Sequence, residues 1–577
     1  MADPIVTLAP RFEAALRQAF GEEHAKADPA LRRGAHADLQ ADVALGLAKK
    51  LQKKPREVAD AIVAVLDVKG IVDKVEVAGP GFINLSLSNE WLSAQLAEAA
   101  ADPRLSVPTT SSPETVVVDY SGPNVAKEMH VGHIRSTVIG DTLVRTLEFL
   151  GHTVIRQNHL GDWGTPFGML IEHLIDLGQD KSETVTVKDL DAFYKEARTK
   201  FDADPAFADR ARKRVVSLQA GDADTLVLWK RLVDESKRYF GEVYEKLGVT
   251  LTEKDFCAES HYNPLLAGVV TELEGKGLVT ESDGALCAFP AGFKTKEGEP
   301  LPLIVRKQDG GYGYATTDLT AIRERIQTRK ATRILYVVGT PQQQHLQMVF
   351  AVARDAGWLV PPARAEHVNF GSILGPDKKM FKTRAGGTVK LIDLLDEATS
   401  RASAIIKEKD SDLDDATRDV VARQVGIGAI KYADLSSDRV KDYVFDWSRM
   451  LAFDGNTAPY VQYAHARSQN IFRKEGIDSA MKGAAIVVRE PAEHALAMEL
   501  LNFGATARSV ADTLQPHRMC TYLYGVASAF TTFYEKCPVL KAEDEATKTS
   551  RLALASLAGR VLARGLDLLG IEAPQRM

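Results

Sequence analysis

Apolar positions along this chain change their spacing several times, and each change marks an element. Two stretches near the start, residues 38–53 and 55–67, carry apolar residues at helical spacing. VDKVEVAGPGFINLSLS then alternates like a strand pair turned at Gly79, Pro80 and Gly81. DPRLSVPTTSSPE, rich in Pro, Ser and Thr, reads as a linker. Behind it TVVVDYS is a short apolar run rich in β-branched residues, the pattern of a buried parallel strand. Ile134, Val138, Ile139, Leu143, Leu147 and Leu150 recur at helical spacing, and Gly151 ends the run as a C-cap. HTVIRQNHLGD supplies the next strand. Strand, helix and strand in so short a span predict half of a doubly wound sheet. RILYVVG, QQQHLQMVFAVARDAGW and HVNFGSIL predict the other half. The stretch between, about 175–300, is polar and largely helical and reads as an insertion. From about 395 helix follows helix with no strand.

The expected fold is therefore a multidomain α/β protein. An N-terminal α+β unit covers 1–110, a Rossmann-type parallel-sheet unit covers 113–395 and carries the insertion, and an all-α unit covers 396–577. A chain of 577 residues has room for about three to four such units. Composition changes this picture little, at 45% hydrophobic and 26% charged residues. No apolar run is long enough to span a bilayer, and MADPIVTLAPRFEAALRQAF lacks the basic-then-apolar pattern of a secretory signal. Cys257, Cys287, Cys520 and Cys537 are scattered without a CxxC pair, which argues against a zinc ribbon or a disulfide framework and for a reducing cytoplasm. The net charge of -6 neither requires nor excludes a polyanionic partner, because such a partner needs one basic face and not a basic average.

His130-Val-Gly-His133 falls where the loop after the first strand enters its helix. Free backbone N–H groups and the positive dipole end make that a natural phosphate site. His130 and His133, three apart, can reach one ligand, and Gly132 lets a flat purine approach the backbone. Read alone, the pattern equally suits a metal half-site, two solvated histidines or a fortuitous cap. The second element, GPDKKMFKTRAGG, is a glycine-flanked loop with Lys378, Lys379, Lys382 and Arg384 after the last strand of the other half. Two phosphate-type elements in opposite halves of one sheet are hard to reconcile with chance.

HVGH resembles the HIGH signature of class I aminoacyl-tRNA synthetases, and KMFKT resembles their KMSKS loop, with Phe381 where the signature has Ser. SGPNVAKEMHVGHIRST, NHLGDWGTPFG, TDLTAI, FDGNTAPYVQYAHAR and LGIEAPQRM together resemble the arginyl-tRNA synthetases, over nearly the whole chain. The resemblance implies activation of L-arginine by ATP with Mg2+, without zinc, and transfer to the 3′-terminal adenosine of tRNA-Arg by a cytoplasmic monomer. The attacking carboxylate is already ionised, so catalysis calls for positioning and charge stabilisation and no general base. His130 and His133 are expected on the phosphates, Lys379 and Lys382 on the leaving pyrophosphate, and Lys127 as a further cation.

A guanidinium presents forked donors and calls for carboxylates that accept paired hydrogen bonds. Tyr314 and Asp318 in GYGYATTDLTA share a helix face, though from spacing alone the plainer reading is a core tyrosine and an exposed aspartate. The resemblance assigns Tyr314, Asp318 and Gln342 to the arginine side chain, with Glu259 as the second acid. It assigns Ser121, Asn124 and His159 to the amino-acid end. Gly339 departs from the acid of several relatives and receives no role. Tyr460, Tyr534 and Met577 are the expected anticodon contacts, and Asn84 the contact to the tRNA elbow. Arg560 and Arg564, on one face of the last long helix, suit either an RNA backbone or a solvated face. Other readings remain: a cysteinyl or other class I synthetase, a nucleotidyltransferase sharing the HxGH sheet, or a non-catalytic paralogue.

Overall fold

The structure, a computed structural model, describes residues 3–34, 36–178, 190–381, 389–409, 413–479, 481 and 483–577. Its centre is a parallel sheet in which Arg364–His367, Arg333–Tyr336, Thr115–Asp119 and Thr153–Gln157 lie side by side in that order. Both faces of such a sheet are covered, which is why Val116, Val117 and Val118 are all fully buried. From Asp119 the chain leaves through helix Ile134–Phe149 to one outer strand; from Tyr336 it leaves through helix Gln343–Asp355 to the other. The two middle strands thus form a switch point, with a crevice beyond their carboxyl ends.

Helix Ile134–Phe149 is buried almost all round. One side lies on the sheet so closely that a Cβ at Gly140 would stand 2.3 Å from the Tyr120 ring. The other side meets helices Asp415–Leu435, Phe503–Thr513 and Glu545–Leu568 of the C-terminal bundle. Arg135 seals this contact: it pairs with Asp434 at 3.2 Å, both side chains essentially inaccessible, and donates to the Lys441 carbonyl at 2.9 Å.

Four expectations need correction. HVNFGSIL is not one strand. The sheet strand is Arg364–His367, because its partner ends at Tyr336, opposite His367. Ile373–Leu374 is a separate piece that pairs in parallel with Tyr443–Val444, so the region after 395 does contain a strand. The insertion is helical in Leu190–Ala203, Pro205–Gln219, Ala223–Leu247 and Glu259–Gly275, but then forms an antiparallel sheet of Thr280–Ser282, Ala285–Ala288 and Leu303–Arg306. Strands of three or four residues carry too little alternation to be read. In the N-terminal unit, Leu39–Ala41 joins Phe82–Leu87 as a strand before helices Val43–Leu51 and Pro55–Val63 begin, and a helix at Pro4–Phe20 was not anticipated. The hairpin through Gly79 and Gly81 stands where expected; a Cβ at Gly81 would lie 2.7 Å from the Pro55 carbonyl.

The presumed linker is also held. Leu105 and Val107 are buried, Arg104 donates to the Phe149 carbonyl at 2.5 Å, and Arg560 donates to the carbonyls of Ala100 (2.6 Å) and Asp102 (2.5 Å). His494 adds contacts to Asp38 (2.8 Å) and Asn89 (2.7 Å), tying the N-terminal unit to the C-terminal bundle. Among the described residues no helix is long and apolar enough to cross a membrane.

Beneath the crevice lies Arg325, fully buried on helix Tyr314–Gln327. It donates to Asp119 at 2.7 Å and to Gln157 at 2.5 Å, and its guanidinium lies 5.1 Å from the Tyr336 ring centre. One side chain thus gathers three strand ends. Arg325→Met strands a buried carboxylate and amide, and is expected to lower unfolding free energy by about 3–5 kcal/mol. A urea midpoint indistinguishable from the parent's would contradict this.

Candidate active site

A cavity of about 580 Å³ opens over the carboxyl ends of the middle strands, with Asp119 and Tyr336 in its floor. Ser121, Gly132, His133, His159, Glu259, Tyr314, Asp318 and Gln342 of the expected residues all line it. Its two ends differ in chemistry.

At one end a short turn, Val131–His133, runs straight into helix Ile134–Phe149. Nδ1 of His130 accepts from the Gly132 N–H at 3.1 Å, and Nδ1 of His133 accepts from the His130 N–H at 3.1 Å. A backbone N–H can only donate, so each Nδ1 acts as the acceptor, which leaves the proton of the His133 ring on Nε2. The rings are 4.0 Å apart. Burial, and then the neighbouring His130, push the His133 imidazole down to about 4, so at neutral pH it is an uncharged donor. Gly132 has a closer reason than access for a purine: a Cβ there would stand 2.8 Å from the His130 ring and break the reciprocal cap.

Ser121 follows the first strand in a left-handed conformation, φ 72°. Ser136 Oγ receives its N–H at 2.8 Å, and its hydroxyl contacts Tyr244 Oη at 2.7 Å. A strained residue so fully held is typical of a site loop.

The far end is acidic. Glu259 opens helix Glu259–Gly275, and Asp162 caps that helix by accepting from the Ser260 N–H (2.9 Å) and hydroxyl (2.6 Å). Burial first, then the charges of Asp162 and Asp318, push the Glu259 carboxyl up to about 7. Asp318 Oδ2 lies 2.6 Å from His345 Nε2, and the Tyr314 and His345 rings meet edge to face at 4.9 Å. The plain amphipathic reading is inverted. Tyr314 is 68% exposed while Asp318 is partly covered, because Ala315, Leu319 and Ile322 supply the buried face and the other two look into the crevice. Among the described residues no group of three or more His, Cys, Asp or Glu is placed to hold a metal ion.

Other expected residues lie outside the cavity lining. Asn124 sits over Gly161, whose Cβ would meet its Oδ1 at 2.3 Å. Lys127 lies over the Tyr194 ring at 4.4 Å. Lys379 is exposed, its N–H donating to Asp377 at 3.1 Å, and Lys382 falls outside the described residues. Phe381 stacks on Phe445 at 4.6 Å. Asn84 lies mid-strand between Gln40 and Glu76. Tyr460 is half-buried against Tyr524, Tyr534 is exposed beneath Arg467, and Met577 is half-buried against the bundle core. Arg560 is spent on the carbonyls of residues 100 and 102 and is not a free arm for RNA; Arg564 pairs with Asp567 at 2.9 Å. Asp119, Asp162, Tyr336 and His345 were not singled out, although Asp162 lies within NHLGDWG and His345 only three residues beyond Gln342.

Comparison with known proteins gives first the class. The family described as tRNA synthetases class I (R), catalytic domain, matches residues 95–447. The DALR anticodon binding domain matches 461–577, and the Arginyl tRNA synthetase N terminal domain matches 7–87. The arginine–tRNA ligase of Thermobifida fusca is 56% identical over 578 residues, covering 100% of both chains. That of Frankia casuarinae is 52% identical over 565 residues, covering 96% of each. The crystal structure of arginyl-tRNA synthetase from Plasmodium falciparum aligns with a TM-score of 0.86 at 27% identity over 100% of both chains. The Thermus thermophilus enzyme gives 0.81 at 27% identity over 99% of this chain and 100% of that one. The chain belongs to the arginyl-tRNA synthetase family.

The two ends of the cavity titrate against habit. NMR of selectively labelled protein is expected to show the His133 ring neutral down to about pH 4 and the Glu259 carboxyl half-protonated near pH 7. An imidazole at 6 or above, or a carboxyl near its ordinary value, would contradict the burial account.

Proposed function

We propose that the chain is an arginine–tRNA ligase whose single cavity reads the guanidinium at its acidic end and the triphosphate at its histidine end. The observation that carries this reading is the placement of Glu259 and Asp318 opposite the capped helix start that bears His133. Arginine's carboxylate attacks the α-phosphorus of ATP and pyrophosphate leaves. A ribose hydroxyl of the tRNA's terminal adenosine then attacks the adenylate's carbonyl carbon, releasing AMP. Neither step asks for a strong base on the protein. The first is served by the imidazoles of His130 and the neutral His133 against phosphate oxygens as charge builds, beside Gly132. Lys379 and Lys382 neutralise the leaving pyrophosphate, with Lys127 as an additional cation. Mg2+ arrives with the nucleotide, since it keeps substrate phosphates and water as its main ligands.

Glu259 and Asp318 accept the guanidinium's forked donors, Tyr314 covers its face, and Gln342 closes the rim. Ser121, Asn124 and His159 hold the amino-acid end. Three units serve the tRNA: 1–110 at the elbow through Asn84, 113–395 at the acceptor end, and 396–577 at the anticodon through Tyr460, Tyr534 and Met577. The protein works as a cytoplasmic monomer.

ATP–pyrophosphate exchange with each amino acid, with and without tRNA, tests the reading. Exchange is expected with arginine alone and only when tRNA is present; exchange with another amino acid would overturn it. Asp318→Asn is expected to raise the arginine KM about 100-fold, as loss of one partner of a desolvated charge pair does. Because guanidinium binding needs ionised Glu259, arginine KM should rise as pH falls below about 7. Glu259→Gln should flatten that slope, and an unchanged slope would remove Glu259 from the subsite.

A further inference from the structure

We propose that His345 is a positioning residue of the guanidinium subsite, which sets the orientation of Asp318 and Tyr314 and so contributes to the choice of arginine over lysine. This rests on the reading that Asp318 accepts the guanidinium.

A carboxylate one turn into a helix has a broad, nearly two-fold χ2 well and presents either oxygen with little preference. In this cavity Asp318 is pinned. Oδ2 lies 2.6 Å from Nε2 of His345, and since a carboxylate only accepts, Nε2 carries the proton. One lone pair of Oδ2 is thereby engaged, which limits the rotation of the carboxylate at the cavity wall. The same imidazole meets the Tyr314 ring edge to face at 4.9 Å. His345 therefore touches two of the side chains assigned to the guanidinium.

Its own position is firm. Helix Gln343–Asp355 starts directly after the turn Thr340–Gln342, so Gln342 and His345, three residues apart, come to the same cavity wall. The pair is largely screened from water, with side-chain exposures of 17% for His345 and 20% for Asp318. A hydrogen bond there is stronger than at an open surface. Orientation matters most for a planar, forked ligand. A guanidinium gains its second hydrogen bond only from acceptors in its plane, whereas an ammonium behaves as a point charge. Release of the Asp318 carboxylate thus costs arginine more than lysine.

The test uses full-length His345→Leu, His345→Gln and Asp318→Asn, with exchange kinetics for arginine, lysine and ATP alongside thermal unfolding. His345→Leu is expected to raise the arginine KM about 10–100-fold, the range for a hydrogen bond to a charged group. It should leave the ATP KM within about twofold and narrow the arginine-to-lysine ratio. His345→Gln, whose amide nitrogen reaches where Nε2 stood, is expected to recover most of the loss. If Asp318→Asn raises the arginine KM and His345→Leu does not, His345 has no such role and the assignment of Asp318 stands. If Asp318→Asn changes nothing, the underlying reading fails and this one with it. If His345→Leu lowers every parameter together with thermal stability, and glutamine does not rescue, the residue is structural and the proposal is overturned.

Discussion

The catalytic unit depends on one buried guanidinium. Arg325 sits in the last turn of helix Tyr314–Gln327 and ties Asp119, Gln157 and the ring of Tyr336, the terminal residues of three parallel strands, to one point. Burying it costs several kcal/mol of hydration, which the pairing only roughly offsets. The return is geometry. With the far end of the helix locked to the sheet, its first turn has a single direction, and that turn carries Tyr314 and Asp318 into the crevice. Floor and wall of the cavity are set by one contact.

The same economy shapes the histidine end. Each ring uses its Nδ1 to cap the chain beneath it, so the turn that opens the helix is held by the two side chains the sequence pairs. Burial holds His133 neutral, which avoids a desolvated cation there. At the other end two acids crowd a third, and Glu259 yields by holding its proton near neutrality. Both ends thus reduce unpaired buried charge near neutral pH.

What was legible in the sequence was what depends on neighbours in the chain. The valines of TVVVDYS and the helical repeat from Ile134 to Leu150 state their burial locally, and both elements stand where expected. HVNFGSIL misled because its pairing stops where a strand 31 residues upstream stops, at Tyr336 opposite His367. The burial of Tyr314 and Asp318 was inverted because their surroundings come from helix Gln343–Asp355, not from their own turn. Arg560 had no readable partner, since it is held by carbonyls at Ala100 and Asp102, on a distant part of the chain. Backbone acceptors leave no trace in a sequence.

The Pro-, Ser- and Thr-rich segment after Ala101 has the composition of a tether, yet it is fastened by Arg104, Arg560 and the buried Leu105 and Val107. A true tether tolerates added or lost residues cheaply, because closure entropy grows only slowly with length. Here one residue more or less would shift each anchored group off its partner. Length in this segment is therefore a structural constraint: its polar side chains can change without disturbing the anchors, whereas an insertion or deletion between them would not fit.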